Sequence, residues 1–236
     1  MKILSIGNSF SEDAQRYLKL IAGANGRELT CVNLYIGGCS LKRHYINLID
    51  NEKSYHYQFG GENTGLMVSI KEVLGSNNWD FITLQQASHE STDIANFTPF
   101  LPEIADWLRL RCEGAKILLH QTWAYPEHTE RLSQLGFKTT DEMFEKVKSA
   151  YDSAEKLIKP DGIIKSGEAM LKAYKLNREG TYRDPIHASL GFGRYLLGCV
   201  WYKFLFSECP RVHVDPAYLD EPVSGKETKL IESILF

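Results

Sequence analysis

Short apolar runs alternate with longer segments of helical periodicity along almost the whole chain, and that alternation permits few folds other than a parallel sheet covered by helices. The clearest runs are Lys2 to Ile6, Leu29 to Leu34, Phe81 to Leu84 and Lys116 to His120, with Gly162 to Ile164 a weaker fifth. Between the first two, Ala14, Tyr17, Leu18, Ile21 and Ala22 recur at helical spacing, and Gly23 to Gly26 closes that helix. Further helices are predicted around Thr64 to Leu74, Leu101 to Arg111, Thr140 to Ile158, Gly167 to Lys175 and Ser189 to Phe206. The expected architecture is a three-layer α/β/α sandwich around a mostly five-stranded parallel sheet. A length of 236 residues suits one such domain, residues 1–236, with little room for a second.

The stretch from Ser40 to Gly61 breaks the alternation, since it sets His44, Tyr45, Tyr55, His56, Tyr57 and Phe59 among polar residues. It reads either as an insertion beside a functional site or as a surface excursion that packs its own aromatics. A net charge of -3, with basic residues spread along the chain, gives no electrostatic reason to expect nucleic acid. The five cysteines, Cys31, Cys39, Cys112, Cys199 and Cys209, lack any C-x-x-C spacing and suggest neither a zinc site nor a complete disulfide framework. Reduced thiols in a cytoplasmic protein are expected. No apolar run reaches the roughly 18 residues of a membrane span, and the opening residues are too short and polar a run for a signal-peptide core. The sequence sets no oligomeric state, and Leu230-Ile231 and Ile234-Leu235-Phe236 are expected to dock on the chain's own domain.

The first apolar run passes straight into Gly7-Asn8-Ser9-Phe10-Ser11 and a helical pattern, which places Ser9 at the strand end where an open parallel sheet has its ligand crevice. Far downstream, Arg183-Asp184-Pro185-Ile186-His187 puts an acid and a base three residues apart, just before the last long helix. A serine hydroxyl needs such a base to take its proton as it attacks, and the base needs an acid to orient it. Each piece also has a plain structural reading: Ser9 or Ser11 as a helix N-cap, and Asp184 as a turn cap beside a surface histidine.

Gly-Asn-Ser near the N-terminus with Asp-x-x-His near the C-terminus resembles the SGNH (GDSL-like) hydrolase superfamily, with Asn8 where aspartate is commonest. Gly-Asn-Ser-Phe-Ser and Leu84-Gln85-Gln86 look most like a little-characterised bacterial branch of it. The resemblance spans Ile3 to about Leu205 and implies a flavodoxin-like SGNH hydrolase fold, with Ser9 as nucleophile, His187 as base and Asp184 as its support. It further implies an oxyanion hole formed by the Ser9 amide, by Gly38 of Ile36-Gly37-Gly38-Cys39 in preference to Gly37, and by a side-chain amide from the third block. That block usually supplies an asparagine; here Gln85 and Gln86 stand in its place and alternate in direction, and Gln86 is the choice. Related sialate and carbohydrate acetylesterases also carry a glutamine at this strand end. Asn8 is expected to steady the oxyanion loop through backbone hydrogen bonds.

His120-Gln121-Thr122-Trp123-Ala124-Tyr125 follows the fourth strand on the same sheet edge, so Trp123 and Tyr125 read either as packing or as an apolar, sugar-stacking wall. The activity implied is hydrolysis of a small acyl ester, acetyl on a carbohydrate being the first choice, with no cofactor and no metal. A thioesterase would use the same machinery, and a carbohydrate-binding protein that has lost catalysis is the alternative that the altered third block favours. Metal-dependent hydrolysis through Asp184, His187, His89 and Glu90 lacks any His-x-x-x-His pair in its support.

Overall fold

The computed structural model describes residues 1–235. In chain order the elements are β1 (Lys2–Gly7), α1 (Ser9–Gln15), α2 (Leu18–Ala24), β2 (Thr30–Tyr35), α3 (Leu41–Asp50), β3 (Tyr55–Phe59), β4 (Glu62–Val68), α4 (Ile70–Ser76) and β5 (Phe81–Leu84). There follow α5 (Phe100–Arg111), β6 (Lys116–His120), α6 (Glu130–Gln134), α7 (Thr140–Ile158), β7 (Gly162–Ile164), α8 (Ser166–Leu176), α9 (Arg178–Thr181), α10 (Phe192–Phe206) and α11 (Gly225–Leu235).

One seven-stranded sheet runs in the order β4-β3-β2-β1-β5-β6-β7. Its five parallel strands are those expected from the apolar runs, with Ser5 opposite Asn33 on one side of β1 and opposite Thr83 on the other. Residues of these strands are buried on both faces, as Ile3, Leu4, Val32, Ile82 and Leu119 are, which is why they read as continuous apolar runs. Chain order reverses at β1, with β2 on one side and β5 on the other, so the crevice beyond its C-terminal end is a topological switch point. Helix-to-helix contacts gather α1, α2, α8, α10 and α11 into one group and α3, α4, α5 and α7 into another, the two meeting where α7 touches α8.

The sheet is larger than expected because β3 and β4 add an antiparallel hairpin beyond β2. The helix predicted from Thr64 to Leu74 is therefore a strand to Val68 followed by a helix from Ile70. A reciprocal cap fixes that start: Ser69 Oγ accepts from the Glu72 amide and the Glu72 carboxylate accepts from the Ser69 amide. Upstream of that cap, Thr64, Gly65 and Val68 are poor helix formers, and residues 62–67 are exposed along the sheet edge. The Ser40–Gly61 stretch packs its own aromatics, with His44 stacked on Tyr55 (centroids 5.7 Å apart) and Tyr45 beside Phe100. The helix predicted across residues 14–22 is two short ones, α1 and α2. At the C-terminus Ile231, Ile234 and Leu235 are buried where α11 packs on α8 and α10; Phe236 lies outside the described residues.

Candidate active site

Asn8 caps α1: its Oδ1 accepts from the Phe10 amide, 3.0 Å, and Ser9 takes the first helical position. The turn is tight because Ser11 folds back beneath it, its Oγ accepting from the Asn8 amide and donating to Asn33 Oδ1 at 2.8 Å. A side chain at Gly7 would collide with that Oγ, so only glycine fits there. Ser9 is left half-buried with its hydroxyl toward the loop before α10.

In that loop His187 Nε2 lies 2.9 Å from Ser9 Oγ, and His187 Nδ1 lies 2.8 Å from Asp184 Oδ2. A carboxylate only accepts, so Nδ1 carries the proton and Nε2 is the acceptor for the serine O–H. Asp184 Oδ1 accepts from the Ile186 and His187 amides, each at 2.8 Å. Burial works against the Asp184 charge, but these two amides and the His187 ring outweigh it and hold its carboxyl below the ordinary value. The structure thus brings Ser9, His187 and Asp184, drawn from residues 178 positions apart, into one hydrogen-bonded line.

Two buried networks hold that line in place. Asp13, on the same helix as Ser9 and with its side chain wholly buried, accepts from Arg183 Nη1 at 2.8 and 3.0 Å and from Arg194 Nε at 2.8 Å. Its Oδ2 also accepts from the Ala188 amide, so the helix that carries Ser9 holds the histidine loop. Under the loop, Trp123 Nε1 donates to the Ile186 carbonyl at 2.9 Å while its ring stacks on Phe10, centroids 3.6 Å apart.

The second network is a one-way relay of donors. Trp201 Nε1 donates to Ser166 Oγ, Ser166 to His120 Nε2, His120 Nδ1 to Gln85 Oε1 (2.6 Å), Gln85 Nε2 to Asn8 Oδ1 (2.6 Å), and Asn8 Nδ2 to the Cys39 carbonyl (3.1 Å). Burial pushes His120 down to about 3, which keeps the ring neutral and gives it one donor and one acceptor, as the relay requires. The relay ends on the residue after Gly38, whose φ of +59° suits glycine.

Several expected site residues sit elsewhere. Gln86 is fully buried with its Nε2 donating to the Asn96 carbonyl and its Oε1 accepting from the Leu41 and Ala87 amides, so it ties down the start of α3 and does not face Ser9. Gln85 reaches the turn, where its Nε2 donates to Asn8 Oδ1, and it does not line the cavity. Trp123 is a buried support for the loop and no wall for a ligand, whereas Tyr125 does line the cavity above Ser9. That cavity, about 450 Å³, is bounded by Ser9, Gly38, Ile186 and His187 on one side and by Ser88, Tyr125 and Arg131 among others. The Ser9 and Gly38 amides, both lining residues, have no acceptor among the described residues. Among the described residues no group of three or more His, Cys, Asp or Glu is arranged to hold a metal ion. Asp13, His120 and Arg131 carried no local motif that would have singled them out.

A model for a domain of unknown function, DUF4886, matches residues 2–235. The chain belongs to the DUF4886 family. A crystal structure of a DUF4886 protein from Bacteroides uniformis is similar over 100% of this chain and 93% of its own, with 30% identity and a TM-score of 0.91. More distant structures similar to this DUF4886 protein share the SGNH hydrolase fold. One is a protein from Slackia heliotrinireducens assigned to the SGNH hydrolases (20% identity, 87% of this chain and 98% of that one, TM-score 0.62). Another is a catalytic mutant of an acetylxylan esterase from Geobacillus stearothermophilus (12% identity, 87% and 92%, TM-score 0.52). No curated protein matches the chain.

Proposed function

We propose that this protein is a serine esterase that removes a small acyl group, acetyl first of all, from a carbohydrate ester. The observation that carries the reading is the line from Ser9 Oγ through His187 to Asp184, with both hydrogen bonds under 3 Å and the serine open to a cavity. Ser9 Oγ bonds to the ester carbonyl carbon as its proton passes to His187 Nε2, and Asp184 stabilises the resulting imidazolium. The oxyanion accepts from the Ser9 and Gly38 amides, each such donor being worth about 3 kcal/mol of barrier. His187 then protonates the departing alkoxide as the ester C–O bond breaks and the alcohol leaves. Water attacks the acyl-serine, gives its proton to His187, and the acid departs as that proton returns to Ser9.

The hole differs from the SGNH pattern because neither Gln85 nor Gln86 lines the cavity: Gln85 bears on it by fixing Asn8 and, through it, the Cys39 carbonyl. That difference is also what favours the competing reading, a carbohydrate-binding protein without catalysis. Five free thiols support a reducing, cytoplasmic setting. The test is intact mass after incubation with a small fluorophosphonate, followed by peptide mapping. We expect a single adduct on Ser9 that is absent in His187→Ala; an unmodified protein beside fully labelled serine-protease controls would replace the esterase reading with the binding one.

A further inference from the structure

The far wall of the Ser9 cavity has a charge pattern that ester hydrolysis alone does not require. Arg131 lines the same cavity as Ser9 and His187 and has no ion pair or hydrogen bond among the described residues. Among the described residues no aspartate or glutamate lines the cavity. Of the acids next in sequence to lining residues, Asp184 is bound by His187 and two amides and Glu130 by the Gln134 amide at 3.0 Å, while Glu90 lies outside the lining with His89 3.7 Å away. A chain with a net charge of -3 thus keeps one permanent, uncompensated positive charge in the cavity that holds the reactive serine.

The backbone that carries that charge is anchored. Arg131 sits on the short helix α6, which Thr129 caps and which the adjacent Leu132, 1% exposed, anchors in the core. Beside it the Tyr125 hydroxyl and Ser88 Oγ lie 2.7 Å apart, both lining the cavity and together offering a donor in either direction. Burial raises the Tyr125 phenol, against which the Ser88 hydrogen bond and the Arg131 charge both act, so the guanidinium is close enough for the ring to sense.

We propose that Arg131, with Tyr125 and Ser88, forms a subsite for a carboxylate, and that the ester cleaved at Ser9 is carried by a sugar acid such as a uronoside. A planar guanidinium matches the two oxygens of a carboxylate. One cation balances a carboxylate's single charge better than the nearly double charge of a phosphate monoester. The inference takes the identity of the ligand from the esterase reading, but its test does not depend on turnover.

Calorimetric titration of the full chain with methyl glucuronoside and with methyl glucoside reads the subsite directly. A charge-assisted pair in a partly closed cavity should favour the uronoside by about tenfold or more, and added salt should reduce the difference. Arg131→Gln should bring the two sugars to equal affinity, while Arg131→Lys should retain part of the preference. Equal affinities in the wild type, a preference that survives Arg131→Gln, or no binding of either sugar overturns the subsite. Fluorophosphonate labelling on the same samples separates the two readings: labelling without a preference sinks only the subsite, and a preference without labelling sinks only the esterase.

Discussion

The two walls of the cavity above Ser9 are built in opposite ways. On the side of Ser9 and His187 the side chains are held by buried partners, through Asp13 and its two arginines and through the donor relay that ends at Cys39, while the Ser9 and Gly38 amides are left open. On the side of Arg131 the guanidinium is exposed and has no ion-pair partner among the described residues, and the helix that carries it is five residues long. A proton transfer between Ser9 and His187 tolerates little misplacement, and buried, fully satisfied networks give that rigidity. Recognition of a charged substituent needs a cation that the protein has not already paired. One wall is therefore committed to geometry and the other is free to bind.

Breaking the buried wall should cost far more than trimming the open one. Asp13→Asn leaves Arg183 and Arg194 facing a neutral amide inside the protein, and loss of a buried partner of this kind typically costs about 3–5 kcal/mol. Arg131→Gln, at an exposed and unpaired position, should stay within about ±0.5 kcal/mol. Urea denaturation of the two variants measures the difference. The fluorophosphonate rate at Ser9 should also fall in Asp13→Asn by more than its unfolded fraction explains. Similar stabilities for the two variants would remove the contrast.

Acid should attack the same buried architecture. Burial pushes both His44 and His120 down to about 3 from an ordinary 6.5, so between those values the unfolded chain binds protons that the folded chain refuses. Stability is then complete above pH 6.5 and falls as the pH is lowered, by about 1.4 kcal/mol per pH unit for each histidine. Urea midpoints taken from pH 7 to pH 5 should show this slope, and His120→Gln should make it shallower by about half.

How far each part could be read in advance follows from where its partners lie. The five parallel strands are buried on both faces and show as apolar runs, whereas β4, exposed from Glu62 to Met67, offers no alternation to read. Ser9, Asp184 and His187 stand in short motifs whose chemistry is local. Asp13 looks like any surface aspartate of an amphipathic helix, because the arginines that bury it are 170 and 181 residues away in the chain. Strand alternation says that Gln85 and Gln86 point opposite ways, but it does not say which one faces the serine turn. Gln85 is the one that does.

Asn8 gives the finest probe of the buried wall, since the commoner residue at its position in SGNH hydrolases differs from it by one group. Its Oδ1 already accepts from the Phe10 amide and from Gln85 Nε2, leaving Nδ2 to donate to the Cys39 carbonyl at 3.1 Å. An aspartate would keep the first two bonds and set a second carboxylate oxygen against that carbonyl, two acceptors with no proton between them. The Gln85 side chain cannot turn to help without breaking its bond to His120. Asn8→Asp should therefore lose about 1–3 kcal/mol, the usual cost of a buried acceptor left without a donor. The loss should shrink as the pH falls and the new carboxyl takes up a proton it can donate to Cys39. A fully stable Asn8→Asp protein at neutral pH would mean that the relay is slack at its last link, and that the wall holding Ser9 is less rigid than its hydrogen bonds suggest.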